Sequence, residues 1–158
     1  MLRHVVPLHV ICATIGPHYR DDKRPKEERT VAAENRPDVE LRIPADSAYL
    51  SVLRTVTAGL AARLDFTLDD IEDLRIAVDE ATAMVLPQTL PGSDLSCAFL
   101  LGEDRLDVAV TADCDSPRVP SQDGFAWTVL SALTSTLDAQ VDGDSLTVKL
   151  SRVSGESA

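Results

Sequence analysis

Aromatic residues are scarce in this chain of 158 residues: one Trp, two Tyr and three Phe make up 4% of it, against a hydrophobic fraction of 44%. A folded core must therefore be assembled mostly from Leu, Val and Ala. No apolar run approaches the length of a membrane span. The opening MLRHVVPLHVIC has an apolar tint, but His4, Pro7 and His9 interrupt it. No small-residue cleavage site follows, so a signal peptide is not expected. Cysteines number three, an odd count without framework spacing, which favours a reducing, cytoplasmic setting. Positive charge is also short, with 15 Lys and Arg against 26 Asp and Glu, a net charge of −11. Such a surface repels phosphates, which disfavours direct nucleic-acid binding, whereas a basic protein partner suits it. Histidine is confined to His4, His9 and His18. Their spacing is irregular and no acidic or cysteine cluster accompanies them, so no metal site is expected. The rest of the chain has no histidine to act as a general base or to activate a nucleophile.

What is present centres on Thr67–Leu86, TLDDIEDLRIAVDEATAMVL. Ile71, Leu74, Val78, Ala81 and Val85 recur at three- and four-residue steps, the apolar stripe of an amphipathic helix. Thr67 can cap its start, with Asp70 three residues on, and Asp69, Asp70 and Glu72 suit the positive end of the helix dipole. Pro87 ends it. Glu80 departs from the pattern, because Ile76 and Met84 flank it one turn to either side. A carboxylate there lies at the edge of the core face or in a site.

Around this helix the chain divides readily. Residues 1–37 are charged, punctuated by proline and without period, and are expected to be disordered. Val39, Leu41 and Ile43 alternate as a strand. Asp46 or Ser47 caps a helix over 46–64 with Leu50, Leu53, Val56, Leu60 and Leu64 buried and Arg54 on its border. Leu95–Leu101 and Leu106–Val110 form a hairpin. Asp123 caps a third helix over 123–136, with Phe125, Val129, Leu130 and Leu133 apolar. Asp142-Gly143-Asp144 joins two last strands. Residues 38–152 thus read as one domain and 153–158 as a frayed tail. The order predicts an α+β fold, a two-layer α/β sandwich whose mixed, mostly antiparallel sheet is covered on one face by three helices. Cys97 falls opposite Val110 in the hairpin, with Cys114 about four residues further on. At about 3.3 Å per residue the two lie beyond disulfide reach.

The stretch LDFTLDDIEDLRIAVDEAT, the element order and GFAWTVLSALTSTLDAQV together resemble the RsbW-like anti-sigma factors. These belong to the GHKL, or histidine-kinase-like, ATPase superfamily with its Bergerat-type fold. The resemblance covers most of 38–151. It implies a sigma factor and a STAS-type anti-anti-sigma antagonist as partners, a homodimer, Arg54 as a partner contact, and Glu80 in the position of the general base for phosphoryl transfer to the antagonist. For Arg54 the competing reading is a solvated arginine snorkelling along apolar surface. For Glu80 it is an inherited carboxylate that no longer acts, and Met84 favours that.

Several positions depart from the family pattern. Met84 stands where the family has a magnesium-ligating asparagine, and a thioether does not replace an amide oxygen on hard Mg²⁺. Asp113 matches the aspartate that reads adenine, but the glycines expected after it are missing and Pro117 intervenes. The lid, SPRVPSQDG, keeps only Gly124 to supply a glycine backbone donor. Magnesium is therefore not expected, ATP is expected to bind weakly or not at all, and release by competition is favoured over release by phosphorylation. The alternative is an active serine protein kinase.

Overall fold

The computed structural model describes residues 36–155. The readings of residues 1–35 and 156–158, and with them the three histidines, fall outside these. Five strands form one sheet: β1 (Val39–Pro44), β2 (Asp94–Leu101), β3 (Arg105–Asp113), β4 (Thr136–Asp142) and β5 (Ser145–Val153). Their order is β1-β2-β3-β5-β4, and each of the four pairings is antiparallel. Three helices complete the fold: α1 (Leu50–Arg63), α2 (Leu68–Val85) and α3 (Phe125–Leu133). Helix α2 packs against α1, α3, β3 and β5. The expected two-layer α+β architecture is the one found.

Alternation decides which sheet face is covered. Leu95, Cys97 and Phe99 of β2, Leu106, Val108 and Val110 of β3, and Leu146, Val148 and Leu150 of β5 are buried. Their neighbours Thr147 and Lys149 lie on the other face, as the pleat requires. Leu53, Leu74, Val78, Val85 and Leu130 close the core from the helix side. Each fully buried Leu or Val contributes roughly 1.5–3 kcal/mol by its removal from water, so a core with few aromatics can still be adequate. Cys97 pairs with Val110. Both Cys97 and Cys114 are buried free thiols. Burial pushes the Cys97 thiol up to about 12. Burial also raises Cys114, helped by the charge of Asp113 and opposed by a backbone hydrogen bond at Leu146.

Three expectations need correction. The first helix begins later, because Asp46 accepts from the Ala48 N–H at 2.8 Å and caps a 3₁₀ turn, Ser47–Tyr49, before α1 starts. The third helix also begins later. The Gly124 N–H turns back to the Ser121 carbonyl at 3.3 Å, so Gly124, not Asp123, is the N-cap. Phe125 then becomes the first helical residue and is 86% exposed, while Trp127 takes the buried place beside Leu130.

The expected fraying from residue 153 is also not found within the described residues. Strand β5 continues through Val153, with Ser151 and Arg152 buried. The Ser154 N–H donates to the Asp104 carbonyl at 2.7 Å, and the Gly155 N–H to Asp70 Oδ2 at 3.1 Å. The cause is a charge cluster at the start of α2. Arg152 Nη2 lies 2.9 Å from Asp70 Oδ1 and 3.3 Å from Asp73 Oδ2, and its Nη1 donates to the Leu133 carbonyl at the end of α3. Thr67 caps α2 as expected, accepting from the Asp70 N–H at 3.1 Å, and its hydroxyl donates to Asp70 Oδ2. Burial by itself would raise the Asp70 carboxyl. Hydrogen bonds from Thr67, Gly155 and Arg152 outweigh it, with the Arg152 charge, and bring the carboxyl down to about 2.

Candidate functional site

Every site residue read from the sequence lies on α2 or on the segments that touch it. Successive helical residues project about 100° apart, so Asp79 and Glu80 leave α2 on opposite flanks. Asp79 faces α1, where Arg54 Nε donates to both its carboxylate oxygens, at 2.8 and 2.6 Å. Glu80 falls seven residues after Asp73 and shares its flank, the side on which Asp73 meets Arg152. The fold therefore separates Arg54 from Glu80, although both belong to the same helical layer. Glu80 is half-buried, and no hydrogen bond or ion pair joins it to another described residue.

Met84, one turn beyond Glu80, is half-buried and packed against the core. Its position is thus filled by a soft thioether engaged with apolar neighbours, a poor donor for a hard cation. Helix α2 runs on into a 3₁₀ turn, Leu86–Gln88, with Pro87 inside it. Here the chain does something the sequence reading missed. The Gln88 side-chain amide clasps the backbone of Arg118: Oε1 accepts from the Arg118 N–H at 2.8 Å, and Nε2 donates to the Arg118 carbonyl at 3.1 Å. Nε2 also reaches the Met84 carbonyl at 3.4 Å. Main-chain bonds extend the contact, with Asp115 N–H on the Gln88 carbonyl at 3.3 Å and Leu90 N–H on the Asp113 carbonyl at 3.0 Å.

The loop after β3 is consequently held against the end of α2. Between them lies an open cleft of about 680 Å³ lined by Pro87, Gln88, Pro91, Asp115, Arg118 and Pro120 among others. Asp113 is brought to this end of the molecule with its side chain exposed, as the last residue of β3. Four of the nine residues 116–124 have no free backbone donor, while the N–H groups of Ser116, Val119, Ser121, Gln122 and Asp123 make no hydrogen bond among the described residues. The Arg118 N–H is on Gln88, the Gly124 N–H is on Ser121, and Pro117 and Pro120 have none. Gly124 also has an ordinary φ of −77°. The structure therefore ties Met84 and Asp113 to the segment at the end of α2, keeps Glu80 on the flank it shares with Asp73, sets Gly124 apart as the α3 cap, and leaves Arg54 on the other flank.

Asp79 and Gln88 were not identified from the sequence. Asp79 was hidden because its partner is 25 positions away and both lie in unbroken helical pattern. The cue for Gln88, a side-chain amide just after a helix-ending proline, is too common to stand out.

No family model matches the chain. Among curated proteins it is 40% identical over 74 residues to the serine-protein kinase RsbW of Halalkalibacterium halodurans, covering 46% of each chain. It is 32% identical over 105 residues to the anti-sigma-F factor RsbW of Mycobacterium tuberculosis, covering 66% of this chain and 62% of that one. It is also 36% identical over 81 residues to the serine-protein kinase RsbW of Bacillus subtilis, covering 49% of this chain and 51% of the other. The matches thus span about half to just under two thirds of these relatives. A solved structure of the RsbU and RsbW domains of Rv1364c from Mycobacterium tuberculosis superposes with a TM-score of 0.56 over 77% of this chain and 34% of that one, at 16% identity. That likeness concerns the fold.

Proposed function

Since the chain is an RsbW-like protein of the GHKL-like ATPase family, we propose that it is an anti-sigma factor. In this reading it binds and sequesters an RNA polymerase sigma factor in the cytoplasm, acts as a homodimer, and gives up the sigma factor to an anti-anti-sigma antagonist by competition. One observation supports competition over phosphorylation. The loop that would have to cradle phosphates is clasped to the end of α2 by Gln88, beside a methionine at the magnesium position. A phosphoryl-transfer site works mostly by positioning and electrostatics. Met84, Pro117 and the spent N–H groups supply little of either, so ATP is expected to bind weakly or not at all.

The second reading is an active serine protein kinase. It is supported by Glu80, which keeps the position of the family's base, and by the name serine-protein kinase carried by several relatives. Two measurements decide between them. Full-length tagged protein drawn from a bacterial extract should retain a sigma factor, identified by mass spectrometry. Arg54→Glu should weaken that complex by on the order of 1–3 kcal/mol if the side chain is desolvated in the contact. Purified protein mixed with labelled ATP, magnesium and candidate antagonists should transfer no phosphate. Transfer that Glu80→Ala abolishes would establish the kinase reading instead.

A further inference from the structure

The ion pair between Arg54 and Asp79 has an unusual consequence for what Arg54 can bind. Asp79 takes only the Nε–H of the guanidinium, at 2.8 and 2.6 Å to its two oxygens. Among the described residues the two terminal amino groups of Arg54 have no acceptor. The Arg54 side chain is 42% exposed and that of Asp79 29%, so the pair bridges α1 and α2 at the surface. A guanidinium is a planar fork of five donors that meets carboxylates in two-pronged fashion. With one edge held by Asp79, the other has no acceptor among the described residues and, on a side chain 42% exposed, is open to a second carboxylate.

We propose that Asp79 is a positioning residue for recognition: it clamps the Nε edge of Arg54 so that the outer edge is presented, already oriented, to an Asp or Glu side chain of the protein partner. This deepens the anti-sigma reading and rests on Arg54 being a partner contact. The physical gain has two parts. An exposed arginine samples many rotamers, and holding it in the bound one removes an entropic cost of association. In an otherwise acidic protein the clamp also fixes where an attractive point for a partner carboxylate lies, which favours one register of docking. Arg54→Lys would substitute poorly, because an ammonium has donors to spare but no planar fork to meet a second carboxylate in two-pronged fashion.

The test is a double-mutant cycle on the full chain, read by calorimetric titration with the purified sigma factor recovered by the tagged protein. Asp79→Ala is expected to weaken binding about tenfold. Arg54→Ala should weaken it at least as much, Arg54→Lys nearly as much, and the double variant no more than Arg54→Ala alone, because Asp79 acts only through Arg54. A ligand-free readout accompanies it: the Arg54 Nε–H signal in ¹⁵N NMR, sharp in the wild type, should broaden in Asp79→Ala. Should Asp79→Ala fail to fold, Asp79→Asn carries the same cycle with a smaller expected loss. The proposal is overturned if the Asp79 variant binds as tightly as the wild type or tighter, if it weakens binding equally in the Arg54→Ala background, or if Arg54→Lys binds normally. Arg54→Ala binding as tightly as the wild type would overturn it in a different way, by removing the contact on which it stands.

Discussion

Two aspartates of helix α2, Asp70 near its start and Asp79 past its middle, each pair with an arginine of another element, and the two pairs are built for different purposes. Near its start, Arg152 and Asp70 are 6% and 5% exposed, and Thr67, Asp73, Leu133 and Gly155 bond to one or the other. Farther along, Arg54 and Asp79 are 42% and 29% exposed, and among the described residues only the Nε edge of the fork is in use. The first pair locks β5, α2 and α3 together. A buried ion pair owes its tolerance to complete hydrogen bonding, because each ion costs several kcal/mol to desolvate. The second is too exposed to add much stability, since solvent screens it. What it retains is donor capacity facing outward. The same chemistry is structural where all three guanidinium nitrogens are engaged and available for recognition where only one is.

That contrast can be broken or sharpened in order of expected effect. Arg152→Ala strands the Asp70 carboxylate in the core and should cost about 3–5 kcal/mol in urea unfolding. A loss below about 1 kcal/mol would show that the cluster is not the lock described.

Acid should act on the same cluster more gently. Asp70 titrates near 2 in the folded protein against its ordinary value of 3.8. Its contribution is therefore fully present above about pH 4 and is lost as pH falls through the folded value, a change of about 2 kcal/mol. Asp70→Asn, though less stable at neutral pH, should show a flatter stability profile between pH 4 and 2. An unchanged slope in that window would remove Asp70 from the acid response.

Arg54→Ala should lower stability by no more than about 1 kcal/mol while weakening partner binding. If it unfolded the protein as Arg152→Ala does, the two pairs would be alike and the distinction between them would fall.

The smallest effect concerns the thiols. Buried Cys97 and Cys114 should resist alkylation in the native state and react on unfolding. Prompt labelling at neutral pH would contradict their burial.

Much of this protein is legible in its residues alone. The period of 3.6 in Leu74, Val78, Ala81 and Val85 and the period of two in Leu95, Cys97 and Phe99 report local backbone geometry, which needs no long-range information. They place α2 and the β2–β3 hairpin, down to Cys97 opposite Val110. Glu80 stands out as a carboxylate in an apolar pattern, while Met84, Asp113 and Arg54 stand out through the resemblance to the RsbW-like anti-sigma factors, which is carried by local stretches of sequence. Tertiary packing decided the rest. Phe125 reads as core but is exposed, because the turn ending at Gly124 sets the helix phase and gives the buried place to Trp127. Val153 reads as tail but continues β5, because Arg152 beside it pairs with Asp70, 82 positions earlier. Asp79 and Gln88 gain meaning only from Arg54 and Arg118, 25 and 30 positions away. Periodicity shows which face of an element is apolar, whereas the pairing of a charge or an amide depends on which distant residue the fold brings within about 3 Å.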